Sequence, residues 1–354
     1  MGGGLYTARR PLGGGDLHRH GGGVLQWITW VLHPMMWTGC SKKGTLRGMT
    51  DETDQKPSAK VTRLQRKLLH ANMEISDLGN HNRPEYLHAL LCQVGLPRSR
   101  QEGRDFVRSS GGASVMISAG SYFNGQGFTD CPLPYGSMPR LALIHLCSEA
   151  VRQGSPVIDV GDGIKPFLRS LGLEIGGNQW KTFKAQMTYL SCARMTFGWL
   201  ADGKIKQRQF LPIDEFSAWD DPASNQRGFW PDEIKLSPQF FETLKEHAVP
   251  LDPRAVHALQ QSALALDVYA WLAARLCRVR TNAGVKLSWG NLKEQFGHEY
   301  GTAKDFKKEF RPALRKALCV YPDGRVSEEM GGIRLYPSPA PIKQTSTPIL
   351  LSRK

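Results

Sequence analysis

The sequence predicts an α+β chain, mainly helical, whose body runs twice through one order of elements: helix, strand, helix, turn, helix, hairpin. Three observations carry that expectation. Long segments with apolar residues at helical spacing occur in both halves of the body, "RLALIHLCSEAVRQG" in the first and "ALDVYAWLAARLCRV" in the second. Each is followed by a short β-rich run, "PVIDVG" or "VKLSW". Each half then closes on a hairpin-like stretch, the first turning at Asp202–Gly203, a strong turn dipeptide.

The first 48 residues stand apart. "MGGGLYTARRPLGGGDLHRHGGG" is glycine-rich and aperiodic, and "VLQWITWVLHPMMW" is interrupted by Gln26, His33 and Pro34. A bilayer span needs about 20 predominantly apolar residues, so this stretch is too short to be one. An export signal is the other reading of it, and "WTGC" has a faint likeness to a lipoprotein cleavage site. The polar run "MTDETDQKPSAKVTRLQRKLL" looks like an ordinary protein start, so translation is expected to begin at Met49 and residues 1–48 to be a disordered leader foreign to the natural protein.

Residues 49–100 are expected to form an N-terminal helical segment. Val61–Leu78 places Leu64, Leu68 and Leu69 on one side and Arg63, Arg66 and Lys67 on the other, and "RPEYLHALLCQVGLP" reads as a second helix stopped by Gly95 and Pro97. Residues 101–220 make the first domain. "ASVMISAGSYFNGQGFTD" predicts two short strands around a turn at Asn124–Gly127, and "CPLPYGSMPR" marks a boundary. The apolar helix and short strand follow, then a short helix in "IKPFLRSLGL", a longer one in "GGNQWKTFKAQMTYLSCAR", and the hairpin "MTFGWLADGKIKQRQFLPI". Residues 228–341 make the second domain, with Pro238–Gln261 as helical lead-in and "NLKEQFG" and "TAKDFKKEFRPALRKAL" as its short and longer helices. "VYPDGRVSEEMGGIRLYPSP" supplies its hairpin, and residues 342–354 are a flexible tail. This order is that of a winged helix, so two tandem winged-helix domains are expected.

Composition narrows the function. Apolar content of 40% and charged content of 22% suit a packed globular body. Lys plus Arg (46) exceeds Asp plus Glu (32) by 14, an excess that suits a polyanion, either nucleic acid or anionic lipid. The seven cysteines, at 40, 92, 131, 147, 192, 277 and 319, lack the paired spacing of a zinc site or a disulfide framework, and they read as packing residues in a reducing cytosol. The chain has no G-x-x-x-x-G-K-[ST] loop and no H-E-x-x-H. Its body also lacks the histidine pair with a downstream tyrosine that strand nicking would need. No catalytic residue, metal or cofactor is therefore expected.

The candidate binding residues lie on the two longer helices and the first hairpin. Within Ala303–Leu318, Phe306, Phe310, Ala313, Leu314 and Ala317 gather on one face, with Lys304, Lys308, Arg311 and Arg315 opposite and Lys307 beside them. A solvated face ordinarily mixes signs, and this one is basic. Pro312 is expected to kink the helix, with Thr302 as its N-cap. A membrane-surface helix would need a wider apolar face. Within Asn178–Arg194, Trp180, Phe183, Met187 and Leu190 form the buried face; Asn178, Lys181, Ala185, Thr188 and Tyr189 look outward, with Lys184 and Arg194 at the edges. Asn suits an adenine edge, and Ala or Thr a thymine methyl. On the hairpin, Lys204, Lys206 and Arg208 alternate and so share one face that could grip phosphate. An ordinary basic surface is the plain alternative for each of these.

The stretch "LPYGSMPRLALIHLCSEAVRQGSPVIDVGDGIKPFLRSLGLEIGG", with "TFGW" and "ALCVYPDGRV" further on, resembles the plasmid replication initiators of the RepA family, over about Val61 to Pro341. Pro312 departs from that pattern. The resemblance implies tandem winged helices that bind direct repeats (iterons) in double-stranded origin DNA, with Asn178–Arg194 and Ala303–Leu318 as recognition helices. It further implies opening of adjacent A·T-rich DNA, recruitment of a host initiator and the replicative helicase, homodimers that limit copy number, and a place in the bacterial cytoplasm with the plasmid. A winged-helix repressor of the chain's own promoter is the alternative.

Overall fold

The computed structural model describes residues 62–78, 83–110, 113–159, 167–169, 171–173, 177–201, 204–216 and 233–342. The leader 1–48, the tail beyond Ile342, the turn at Asp202–Gly203 and most of the acidic loop that precedes the second domain lie outside them, as do Ile164, Lys165, Pro166 and Ser170 of "IKPFLRSLGL". The described residues mix helices and strands and fall within one compact unit that begins at Arg63.

The second half is organised around α7, Ala263–Leu276. Ser262 caps it by accepting a hydrogen bond from the amide of Ala265, and twelve of its fourteen residues are buried, including Tyr269, Trp271 and Asp267. A helix apolar on every side must be central. α9 (Ala303–Cys319) packs against it, and Phe296 of α8 (Trp289–Phe296) meets its Trp271 at 5.3 Å; β12 (Val285–Ser288) and the hairpin β13 (Val326–Glu329) and β14 (Gly332–Leu335) complete this half. β14 lies between β12 and β13, antiparallel to both, so the hairpin is stitched to the strand that leads into α8.

The first half has its own central helix, α3 (Ser137–Gln153), ended by Gly154 in the left-handed region at φ 65°. β6 (Val157–Asp159), a helical turn at Phe167–Arg169, α4 (Gly177–Cys192) and the strands β7 (Arg194–Ala201) and β8 (Lys204–Phe210) follow. The element order expected from the sequence is present in both halves, but the strands are more numerous than expected. "DFVRSS" forms β2 (Asp105–Ser110), and β3 (Ala113–Ser118) lies between β2 and β7. The β7–β8 pair is thus one side of a four-stranded sheet ordered β2-β3-β7-β8. "SYFNGQGFTD" makes a separate hairpin, β4 (Ser121–Phe123) and β5 (Phe128–Asp130), with the turn at Asn124–Gly127 where the sequence placed it.

Two further expectations are corrected. "RPEYLHALL" is not a continuous helix: Glu85–His88 is a strand, β1, and only Ala89–Val94 is helical, as α2. The lead-in Pro238–Gln261 is likewise interrupted, with α5 (Pro238–His247), β11 (Ala248–Leu251) and α6 (Pro253–Leu259). Pro250 and Pro253 explain the interruption, since neither can donate to a preceding turn. β1 and β11 then pair antiparallel as a two-stranded ribbon, Glu85 opposite Leu251. Two more strands, β9 (Ile213–Phe216) and β10 (Glu233–Leu236), form a small sheet with β6. The N-terminal helix α1 (Arg63–Leu78) packs on α6 and α9, and Asn72 Nδ2 donates to the carbonyl of Cys319 at 2.6 Å.

A buried ionic hub joins the halves. Asp267 on α7 accepts from Arg140 on α3 through both oxygens, at 2.6 and 2.9 Å. Arg140 also donates to the carbonyls of Leu96, Pro97 and Gly136. Arg98 and Arg108 approach the same carboxylate at 3.9 and 4.0 Å, and Glu299 accepts from Arg98 Nε at 3.1 Å. Gly95 completes the cradle: its φ is 56°, and a Cβ there would lie 3.1 Å from Asp267 Oδ1. Buried ion sets specify one arrangement more than they add stability.

Candidate nucleic-acid interface

The basic helix α9 begins at Thr302, whose hydroxyl oxygen accepts from the amide of Asp305 at 3.1 Å. The expected apolar face is the buried one: Phe306, Phe310, Ala313, Leu314 and Ala317 all lie inside. Phe306 and Phe310 pack as a tilted pair at 5.1 Å, and Phe310 meets Phe296 of α8 at 5.4 Å. The helix runs through Pro312 as one element. Packing on both sides of that residue holds a helix that has lost one amide donor, the one that would have met the Lys308 carbonyl.

On the outer face Lys304, Lys308, Arg311 and Arg315 are exposed, as expected. They are not equivalent. Arg311 donates to Glu328 Oε1 of β13 from Nε at 2.8 Å and from Nη2 at 2.5 Å. Its guanidinium also lies 5.1 Å from the ring centre of Trp289, over which Lys307 Nζ stands at 5.4 Å. Lys307 is accordingly half-buried. Arg311 thus ties α9 to the hairpin behind it, and Trp289 serves as an aromatic rest for two cations. Among the described residues no carboxylate pairs with Lys304, Lys308 or Arg315. Neither Trp289 nor Glu328 was a candidate from the sequence, because each reaches the stripe from another element.

On α4 the expected buried face is present in Phe183, Met187 and Leu190, with Trp180 half-buried. Its outward face is narrower than expected. Lys181 is exposed, whereas Lys184, Ala185, Thr188 and Tyr189 are half-buried. The Thr188 hydroxyl donates to the Lys184 carbonyl at 3.1 Å, within its own helix. Burial raises the Tyr189 phenol, whose neighbours include Tyr135 and Tyr122. β4 and the segment after β5 cover this end of the helix, and there the buried Gln186 accepts from the amide of Tyr135 at 2.8 Å. Tyr189 is therefore less open than an outward-facing residue was expected to be. Of Asn178 only the backbone is described, at the start of α4.

Arg194 is exposed at the start of β7. Lys204, Lys206 and Arg208 lie opposite Ala201, Trp199 and Phe197, and facing residues in a ladder share a face. That face is the one on which Phe197 is buried, so the three cations extend from the edge of the core. β8 is an edge strand, exposed on both faces from Lys204 to Gln209, with Ile205 89% exposed. Such a strand projects from the body and offers three cations in a row. Arg208 also lies close enough to His88 to disfavour its protonation, behind burial and His247 as causes.

Among the described residues there is no cluster of three metal-ligating side chains, and no helix long and apolar enough to cross a membrane. The arrangement offers cations with free donors.

Residues 133–291 match the model of the RepA_C family, described as plasmid encoded RepA protein. The match runs from ahead of α3 into the start of α8; α9 and its hairpin lie beyond it. Among solved structures, a crystal structure of domains 2 and 3 of RctB is 15% identical, with a TM-score of 0.44, over 70% of this chain and 94% of that one. A second RctB structure, of residues 155–483, is 13% identical, with a TM-score of 0.45, over 70% and 96%. No curated protein sequence matches the chain.

Proposed function

We propose that the chain is a plasmid replication initiator that binds double-stranded DNA through two tandem winged helices and has no catalytic activity. The observation that carries the proposal is the row Lys304, Lys308 and Arg315, which faces solvent without acidic partners on a helix followed directly by a hairpin. The match of residues 133–291 to plasmid encoded RepA proteins supports the replication role. In this reading α9 holds phosphate, Lys204, Lys206 and Arg208 grip a neighbouring stretch of backbone, and the first turns of α4 around Asn178 and Lys181 read base edges. The DNA is a set of direct repeats at a plasmid origin, and the partners are a second copy of the chain, the host initiator and the replicative helicase in the bacterial cytoplasm.

Fluorescence-anisotropy binding of the chain to repeats from the plasmid's own origin, against a scrambled duplex over a salt series, tests this. Preference for the repeats by about 10³ or more at physiological salt is expected. Equal binding to both duplexes overturns sequence-specific initiation. Preference for an inverted repeat over a promoter would favour the repressor reading instead.

A further inference from the structure

We infer that Cys131 and Cys192 form a reversible disulfide that fastens the β4–β5 hairpin to the end of α4. Cys131 follows β5 directly, and Cys192 is the last residue of α4. Gly120, ahead of β4, brings them together. Its carbonyl accepts from the amide of Cys131 at 3.0 Å. A Cβ on Gly120 would lie 2.1 Å from the carbonyl oxygen of Cys192 and 3.2 Å from its Cβ, so only glycine permits the approach. The two thiols are within hydrogen-bonding reach of each other, and both are free.

The pair is unequal in the way an exchange reaction needs. Cys192 is half-buried, and the hydrogen bond from Cys131 lowers its thiol to about 7. Cys131 is buried, and the same hydrogen bond, with burial, raises it. The thiolate is the nucleophile, and attack is fastest from a thiol whose pKa lies near the ambient pH. Cys92 and Cys147 are also buried, and burial pushes them up, to about 12 for Cys147 and higher for Cys92, where Cys147 and Asp267 add to it, which leaves them inert. A cavity of about 620 Å³ beside Cys131, lined by Arg100 and Arg104 and equally by Glu102 and Asp130, leaves room for a small reactant.

The co-reactant is a low-molecular-weight disulfide. The Cys192 thiolate attacks one of its sulfurs, forming a mixed disulfide and expelling one thiolate. Cys131 then gives up its proton and attacks the Cys192 sulfur, expelling the second. Two protein thiols are oxidised and one small disulfide is reduced to two thiols.

The test uses the full chain, equilibrated with oxidised and reduced glutathione, quenched by alkylation and mapped by peptide mass without reduction. A Cys131–Cys192 cross-link that disappears on adding excess reduced glutathione is expected. In Cys131→Ser the reaction should stop at glutathione on Cys192. Alkylation of Cys192 in the unmodified protein should outpace that of Cys319, whose thiol burial raises to about 11, by tenfold or more near neutral pH. Absence of the cross-link under oxidising conditions, or equal alkylation of the two thiols, overturns the inference. Neither readout involves DNA, so the result stands apart from the outcome for the proposed function.

Discussion

Asp267→Asn tests the hub between the two halves. In the folded protein Asp267 meets Arg140 through two hydrogen bonds, at 2.6 and 2.9 Å, and lies 3.9 and 4.0 Å from Arg98 and Arg108. The substitution keeps the shape but takes the Asp267 carboxylate from three guanidinium groups, of which Arg98 alone keeps an ion pair, to Glu299, among the described residues. The carboxamide can accept through one atom only, and its NH₂ group faces a donor. Losing one charge-assisted hydrogen bond costs about 1.5–3 kcal/mol. Uncompensated buried charge brings the total to about 3–5 kcal/mol, against a typical total stability of about 5–15 kcal/mol. Urea unfolding followed by tryptophan fluorescence, beside far-UV circular dichroism, should show a lower midpoint. Because the hub spans both halves, the two probes should also separate into distinct transitions. The double variant Arg140→Met, Asp267→Leu should not recover the loss, since Arg98 and Arg108 still lack the Asp267 carboxylate and the carbonyls of Leu96, Pro97 and Gly136 lose their donor. A loss below about 1 kcal/mol for Asp267→Asn, with coincident probes, would refute the reasoning, because that is the range of exposed pairs.

Three further predictions concern pH and the basic surface. His88 is buried, with Nδ1 accepting from Leu90 N and Nε2 without a partner; burial first, then His247 and Arg208, lower its pKa from 6.5 to about 4. The neutral folded form is therefore favoured above pH 6.5, and stability falls as pH drops from there towards 4, by about 2 kcal/mol between pH 7 and pH 5. His88→Asn, which keeps a capping oxygen but does not titrate, should flatten that fall in urea midpoints taken over the range. Glu328→Gln should release Arg311, raising DNA affinity by about 2- to 5-fold at low salt, and unchanged affinity would show that Arg311 does not face the duplex. Lys308→Ala with Arg315→Ala should weaken binding similarly across sequences and flatten the salt slope by about 1 to 2 units; an unchanged slope would remove α9 from the interface.

The helices were legible where local chemistry defines them. Thr302 caps α9, and its two faces separate as the spacing of Phe306, Phe310 and Leu314 requires. The turn at Asn124–Gly127 was legible for the same reason. What escaped was what distant residues determine. Glu85–His88 is extended because Ala248–Leu251 pairs with it, and no local pattern in "EYLH" records that partner. On the candidate surface, composition and periodicity found the cations but could not rank them. Arg311 and Lys307 look like Lys308 in the sequence, and only the arrival of Glu328 and Trp289 sets them apart. Tyr189 is less open than its position suggests, since Tyr122 near it comes from some sixty residues upstream.

The seat of α1 bears on the order in which the chain can fold as it is synthesised. Its Asn72 bonds the carbonyl of Cys319, and the thiol of Cys319 donates to the carbonyl of Leu68, across 247 and 251 positions of sequence. β1 likewise waits for β11. The apolar side of α1 therefore leaves the ribosome long before its partners exist. Contacts of such separation form slowly, and surface left open meanwhile invites aggregation or a chaperone. Until the last basic helix has been made, the amino-terminal helix has nowhere to dock.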